Sequence, residues 1–316
     1  MPPCPACRAA VLGAFLGDTM ALGLHWNYNA ADIASLAAPH LVDGRLAGPL
    51  PPAPGSYHAG KAAGDGTHYG DQALVLLESL APSEDAPTGG FMLHRFYHAW
   101  LTLFQGGYAG YVDGATRGTL ERFAAGATAE DGGSPSTDLA GAARMAPLLA
   151  IYGQDLPALL TAARAQTRMT HNHAQVLDAA AFFSRAVAHL LHGAPVVEAL
   201  LTAAEAGYAT SHIQDWVRAG LASKDVETVA AIEEFGQSCA VASAFPAVIH
   251  LCASYADDLA LGITRNVLAG GDSAARGMAV GMLLGAHGGM DALPGAWLDG
   301  LTARPRILAL LDACGC

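Results

Sequence analysis

The 316-residue chain is 52% hydrophobic and only 14% charged, and it holds 37 glycines. That is enough chain for a sizeable core, and the small residues favour closely packed helices. Lysine occurs only at Lys61 and Lys224 and the formal net charge is −12, which excludes a nucleic-acid duplex or an anionic membrane as the expected partner.

The first residues, MPPCPACRAAVLGAFLGDTM, are apolar but broken by Arg8 and Asp18, with no basic leader before a clean apolar run. Neither a secretory signal nor a membrane span is expected there or elsewhere, so a soluble, cytoplasmic protein is. Apolar residues recurring at spacings of three and four predict helices over 7–23, 72–80, 90–104, 138–150, 156–168, 172–191, 195–206, 224–235, 238–254, 256–268 and 273–286. Leu156, Leu159, Leu160 and Ala163 show the period, as do Val176, Ala179, Ala180, Phe183 and Val187. Without an alternating β-branched run or a strand–helix rhythm, the fold class is all-α, one compact multi-helix domain over residues 1–316. The one long non-periodic stretch, 37–66, is dense in Pro and Gly and reads as an irregular excursion of the lid or binding-loop kind.

The cysteines divide into three pairs. Cys4 and Cys7 form CPAC, and Cys314 and Cys316 form CGC. Four such thiolates make a zinc site if the two ends meet; incidental thiols on frayed ends are the other reading. Cys239 and Cys252 lie in apolar helical text and read as small core residues.

Four polar clusters interrupt this text. In GDTMALGLHWNY, Asp18 is an acid among apolar neighbours and needs a hydroxyl, a helix start or a cation; His25, Trp26 and Tyr28 suit stacking on a ring. In GDGTHYGDQALVLLESL, Thr67, His68, Tyr69 and Asp71 crowd a helix start, where Thr67 or Asp71 also reads as an ordinary N-cap. In TRMTHNHAQ, Thr170 reads as a capping threonine before His171 and His173, two residues apart and so not facing together on a helix. In NVLAGGDSAARG, Gly270 and Gly271 permit close approach, and Asp272 or Ser273 caps the next helix. That helix start is suited to an anion, while a cap on a glycine-rich buried helix is the plainer alternative.

In order and context the four clusters resemble the ADP-ribosylglycohydrolase superfamily from about residue 8 to residue 312. Gly17-Asp18-Thr19-Met20-Ala21-Leu22-Gly23 is similar to its G-D-A-x-G element. Thr67-His68-Tyr69-Gly70, before Glu78-Ser79-Leu80, resembles its T-D-D-T element. Ala143-Arg144-Met145-Ala146-Pro147-Leu148 resembles an arginine–proline element, and Thr170-His171 a T-H element. Gly270-Gly271-Asp272-Ser273-Ala274-Ala275-Arg276-Gly277 resembles G-G-D-x-D-T-x-G, followed by Gly285-Ala286 through Gly289, Pro294 and Trp297. The resemblance implies an all-helical fold holding two divalent cations, magnesium or manganese. Here His68 and Tyr69 replace both early aspartates, and Ala274 and Ala275 replace the second late aspartate and its threonine. Metal binding is therefore expected to be reduced or absent, since such cations need carboxylate oxygens. Asp71, slightly past the expected place, is the candidate stand-in.

HWNY and HYGDQ resemble the branch of J-crystallins and selenoprotein J. The resulting expectation is a family protein with a remodelled metal site that binds an ADP-ribose-like or nucleotide ligand with weak or lost hydrolysis. An active metal-dependent ADP-ribosyl hydrolase and a crystallin-like structural protein are the alternatives. The candidate catalytic residues are Asp18, Asp71 and Asp272. Ligand contacts fall to His25, Trp26, Thr67, His68, Tyr69, His171, Gly270, Gly271 and Ser273, and any metal to Thr67, Asp71 and Asp272. The partner is an ADP-ribose-like small molecule or an ADP-ribosylated one; the sequence sets no oligomeric state.

Overall fold

The computed structural model describes residues 4–84 and 86–316. Its first helix, Pro5–Ala21, starts behind a Cys4 N-cap with proline at its first position, where a missing N–H breaks no hydrogen bond. Ala9, Gly13 and Gly17 recur every four residues along one stripe of this helix. They meet Gly285, Gly281 and Gly277 of the Ser273–Gly288 helix, so the two helices run antiparallel in a single register. A Cβ on Gly17 would lie 1.9 Å from the Gly277 carbonyl oxygen, and one on Gly281 1.9 Å from that of Gly13. Only glycine permits backbones this close. The register brings Asp18, near the end of the first helix, and Asp272, the N-cap of the other, to the same end of the pair.

Against the sequence expectation, Pro5–Leu24 does have the length and apolar composition of a membrane span, alone in this among the described residues. It is almost wholly buried by neighbouring helices, which makes it a core element. Ala174–Leu191, Val241–Ser254 and Leu259–Leu268 pack against Ser273–Gly288, Leu156–Thr170 packs on Ala174–Leu191, and one buried apolar cluster runs from Cys7 to Cys316. Pro246 lies inside the Val241–Ser254 helix without ending it.

The all-α expectation holds. The described residues contain one two-stranded sheet, with Leu41–Val42 paired antiparallel to Arg45–Leu46 across the left-handed Asp43-Gly44 turn. Several boundaries move. The helix expected from 72 begins at His68, because the Thr67 hydroxyl accepts from the Tyr69 amide and caps it there. The stretch 138–150 is broken into Ala140–Ala143, a 3₁₀ turn Ala146–Leu148 and Leu149–Tyr152, with Pro147 in the turn. Ala30–Ala37, Gly114–Ala124, His212–Ala222, Gly295–Gly300 and Arg304–Ala313 were not expected as helices; in Gly114–Ala124 the apolar stripe is thin, and Asp113 as N-cap was the available signal.

Thr170 closes the helix Leu156–Thr170 rather than capping the next, and its hydroxyl accepts from Arg144. The two ends of the described chain are ordered and adjacent, not frayed: Arg8 donates to the Asp312 carboxylate and to the Cys316 carbonyl, each at 2.7 Å.

Gly17→Ala is expected to lower unfolding stability by about 3 kcal/mol or to abolish folding, since neither backbone at the crossing can yield. Gly295→Ala, where an added Cβ meets nothing within 4 Å, should stay within about 0.5 kcal/mol of the parent. Urea unfolding followed by circular dichroism checks both, and an unaffected Gly17→Ala would refute the close crossing.

Candidate functional site

Asp18 is fully buried, and one residue, Thr67, answers both of its oxygens. The Thr67 amide donates to Oδ2 at 2.7 Å and the hydroxyl to Oδ1 at 2.5 Å. Gly70 leaves the space: a Cβ there would fall 2.1 Å from Asp18 Oδ2. Burial still raises the carboxyl, to about 7, with the Thr67 bonds opposing and the Asp71 charge adding to the rise.

A second centre is built from five parts of the chain. Asp138 and Asp272 are both buried, and the Tyr69 hydroxyl stands between them, 2.9 Å from Asp138 Oδ2 and 3.0 Å from Asp272 Oδ2. The Trp26 indole N–H donates to the same Asp272 oxygen at 3.0 Å. A hydroxyl carries one hydrogen, so it donates to one carboxyl and accepts from the other, which must be protonated. Burial first, then mutual repulsion with Asp272, pushes Asp138 well up; burial likewise raises Asp272. Cys239 completes the group: one ligand atom each from Asp138, Cys239 and Asp272 lie within 4.8 Å of one another. Burial and the two carboxylates push its thiol well above the usual range.

The expected metal set, Thr67, Asp71 and Asp272, is not what the fold assembles. Asp71 points to Lys61, 2.6 Å from its Nζ, and accepts from the Tyr108 hydroxyl. Thr67 spends its hydrogen on Asp18. Cys252 is a core residue as read, but Cys239 is not. It reaches the carboxylates because the Leu139 amide donates to the Cys239 carbonyl and the Val241 amide to that of Thr137, pinning two distant loops together. Nothing local in the sequence signalled that bridge.

At the helix start, Gly270 and Gly271 both take positive φ, +67° and +64°, and an added Cβ would strike Ile33 and Asn27 at the first or Gln237 at the second. They are needed for the turn against protein. The amides there are also taken: Gly271 donates to Asn27, Asp272 to Gln237, Ser273 to Gly271 and Ala274 to His25 Nδ1. Those amides do not face a ligand; the Ser273 hydroxyl is buried without a protein partner.

Around Trp26 stand His25, His58 and His68, all buried, with ring centroids 5.3–6.2 Å apart. Tyr57 and Tyr111 close on Trp26 edge-on at 5.4 and 4.9 Å. Five imidazole nitrogens in this stack, His25 Nε2 and both of His58 and His68, have no hydrogen-bond partner in the protein. His68 Nε2 does approach Asp113, at 3.4 Å. Desolvation keeps the rings neutral, lowering His25 and His68 strongly and His58 to about 4. Trp26 itself has φ +62°, a left-handed conformation costly for a bulky side chain, held by its amide bond to the Gly271 carbonyl. A cavity of about 710 Å³ opens beside His25, Trp26, Tyr28 and Tyr57, and its far wall is the 53–57 part of the Pro/Gly-rich excursion. His171 sits further off, packed on Gly141 and bonded to Thr170, and burial lowers it to about 3.

The architecture defines a class: an all-helical protein whose buried carboxylates gather where its first and last long helices meet. Residues 5–315 match the ADP-ribosylglycohydrolase family, and the chain belongs to it. A solved structure described as an "ADP-ribosylglycohydrolase-related protein complex" is 25% identical, with a TM-score of 0.67, covering 98% of this chain and 96% of that one. No curated protein matches the chain.

The family is generally metal-dependent, and Asp138, Cys239 and Asp272 are a group with ligand-like spacing. They do not fit a pair of magnesium or manganese ions. The one late aspartate has two donors on Oδ2 and only Oδ1 free, and a protonated thiol is a poor partner for a hard cation.

The buried His58 makes the stack sensitive to acid. Its ring stays neutral in the fold to about pH 4, whereas the unfolded chain protonates it near 6.5. Its contribution is thus full above 6.5 and is lost as pH falls towards 4. Comparing parent with His58→Phe by urea unfolding from pH 7.5 to 4.5, the parent should lose roughly 2–3 kcal/mol more. Parallel curves would show that His58 is not held neutral.

Proposed function

We propose that this ADP-ribosylglycohydrolase-family protein binds an ADP-ribose-like ligand in the cavity beside Trp26, and that its capacity for the family's two-metal hydrolysis is weak or lost. The observation that carries the reading is the state of Asp272: the Tyr69 hydroxyl and the Trp26 indole N–H occupy the oxygen that a metal would take. Tyr69 stands where the family resemblance has an aspartate, so a ligand of the cation has become a donor to its remaining partner.

The cavity supports the binding half. Tyr28 and Tyr57 are exposed large aromatics on its walls, 55% and 64% accessible, and Trp26 lies between them and the buried site. Flat rings suit an adenine face, and neutral imidazoles accept from or donate to ribose hydroxyls without charge. HWNY and HYGDQ, the segments that resemble the crystallin-like branch, supply Trp26, His25, His68 and Tyr69 of this arrangement.

Calorimetric titration of ADP-ribose into metal-stripped protein checks the reading. Binding is expected with chelator present, weakened at least tenfold by Trp26→Ala, and little changed by magnesium or manganese. Metal-dependent release of ADP-ribose from an N- or O-linked substrate would overturn the loss of hydrolysis. No binding in either condition would leave a structural protein.

A further inference from the structure

Four of the six cysteines fall in two short motifs far apart in sequence, Cys4-Pro5-Ala6-Cys7 and Cys314-Gly315-Cys316. The fold unites them. All four line one cavity of about 220 Å³, closed by Thr88 and the turn at Gly153. Gly153 makes room for sulfur, since a Cβ there would sit 2.5 Å from Cys7 Sγ. Cys316 Sγ lies 3.9 Å from the Cys4 carbonyl oxygen, and Arg8 ties the two motifs through Asp312 and the Cys316 carbonyl. Along the first helix the cavity stands about 20 Å from Asp18, at 1.5 Å per residue, so it is a separate place from the carboxylate site.

The donor set is soft and uniform. Cys4 is the N-cap of the first helix and its sulfur accepts from the Cys7 amide at 3.2 Å, an environment that favours negative charge on sulfur. The nearby acid, Asp312, is engaged by Arg8. The geometry points to a four-thiolate site for one zinc-class divalent cation that clasps the two ends of the chain. Cys4 and Cys7 are disulfide-bonded in this structure, and Cys314 and Cys316 are free thiols. The disulfide is the competing oxidised state. Reduction by a dithiol, which ends as its own disulfide, or by a phosphine, which ends as its oxide while water supplies the two protons, breaks the sulfur–sulfur bond and leaves two thiols; the cation then displaces the thiol protons as its four bonds to sulfur form. A bound divalent cation supplies the charge that removes the thiol protons.

The test uses the full chain, phosphine-reduced, metal-stripped and kept anaerobic. It is titrated with Zn²⁺ against a chromophoric chelator and, separately, with Co²⁺. One Zn²⁺ per chain is expected, with sulfur-to-cobalt charge transfer and the intense visible bands of tetrahedral Co²⁺. The double variant Cys314→Ser/Cys316→Ser should lose the cobalt bands and bind Zn²⁺ at least a hundredfold more weakly. Cys4→Ser, in which serine keeps the helix cap, should show the same loss even where the double variant fails to fold. Cys239→Ser should retain both signals. The proposal is overturned by reduced parent that holds no Zn²⁺, by tetrahedral cobalt bands persisting in the terminal variants, or by bands that vanish in Cys239→Ser alone.

Discussion

The glycine contact between Pro5–Ala21 and Ser273–Gly288 is the constraint on which the rest of the structure depends. Four helical glycines, at 13, 17, 277 and 281, together cost about 4 kcal/mol of helix propensity relative to alanine. What they gain is a backbone approach that no side chain permits. The antiparallel crossing brings the Asp18 end of the first helix and the Asp272 end of the other to the same end of the pair. The same pair of helices sets the opposite end, where the first turn carries Cys4 and Cys7 to the last helix of the chain.

Three buried carboxylates gather at the polar end, and each is answered by protein donors. Asp18 takes two hydrogens from Thr67, which also caps the helix that carries Tyr69. Asp138 accepts from the Ala140 amide and shares the Tyr69 hydroxyl with Asp272. Asp272 adds the Trp26 indole, and the fully buried Arg276 offsets its charge while bonding Asn266 and the Gly270 carbonyl. Two carboxyls bridged by one hydroxyl hold an additional proton between them. In the function proposed above, that proton supplies the charge balance that a cation would otherwise supply, and Tyr69 is the residue that makes the exchange.

Much of this was legible from the sequence because it is local. The small-residue run after Asp272, the Thr67 cap and the aromatic HWNY segment each carry their signal within a few residues, and their order pointed to the family. Asp138 and Cys239 were not legible. The first sits in a plain loop and the second in apolar text, and they meet only through backbone bonds between segments about a hundred residues apart. His58 was hidden in a stretch with no periodicity. Gly270 and Gly271 misled in a specific way: left-handed glycines before a helix read as a cradle for an anion, but the same geometry serves a turn whose amides are taken by Asn27 and Gln237. Sequence shows that a backbone bends, not what it bends around.

The histidine stack bears on why such a site would persist as more than scaffold. Buried polar atoms without protein partners destabilise a fold by about 1–3 kcal/mol each, and five such nitrogens converge here beside the unpartnered Asp272 Oδ1. At His58, where neither ring nitrogen has a protein partner, a purely structural core would be more stable with phenylalanine. A tryptophan held at φ +62° adds strain of the same order. Cost concentrated in one place, facing a cavity walled by exposed tyrosines, is what is expected where a ligand completes the hydrogen bonding. Aromatic faces that stack and neutral nitrogens that both donate and accept match a ligand that joins a base to a sugar diol, and that match favours binding over a purely structural role.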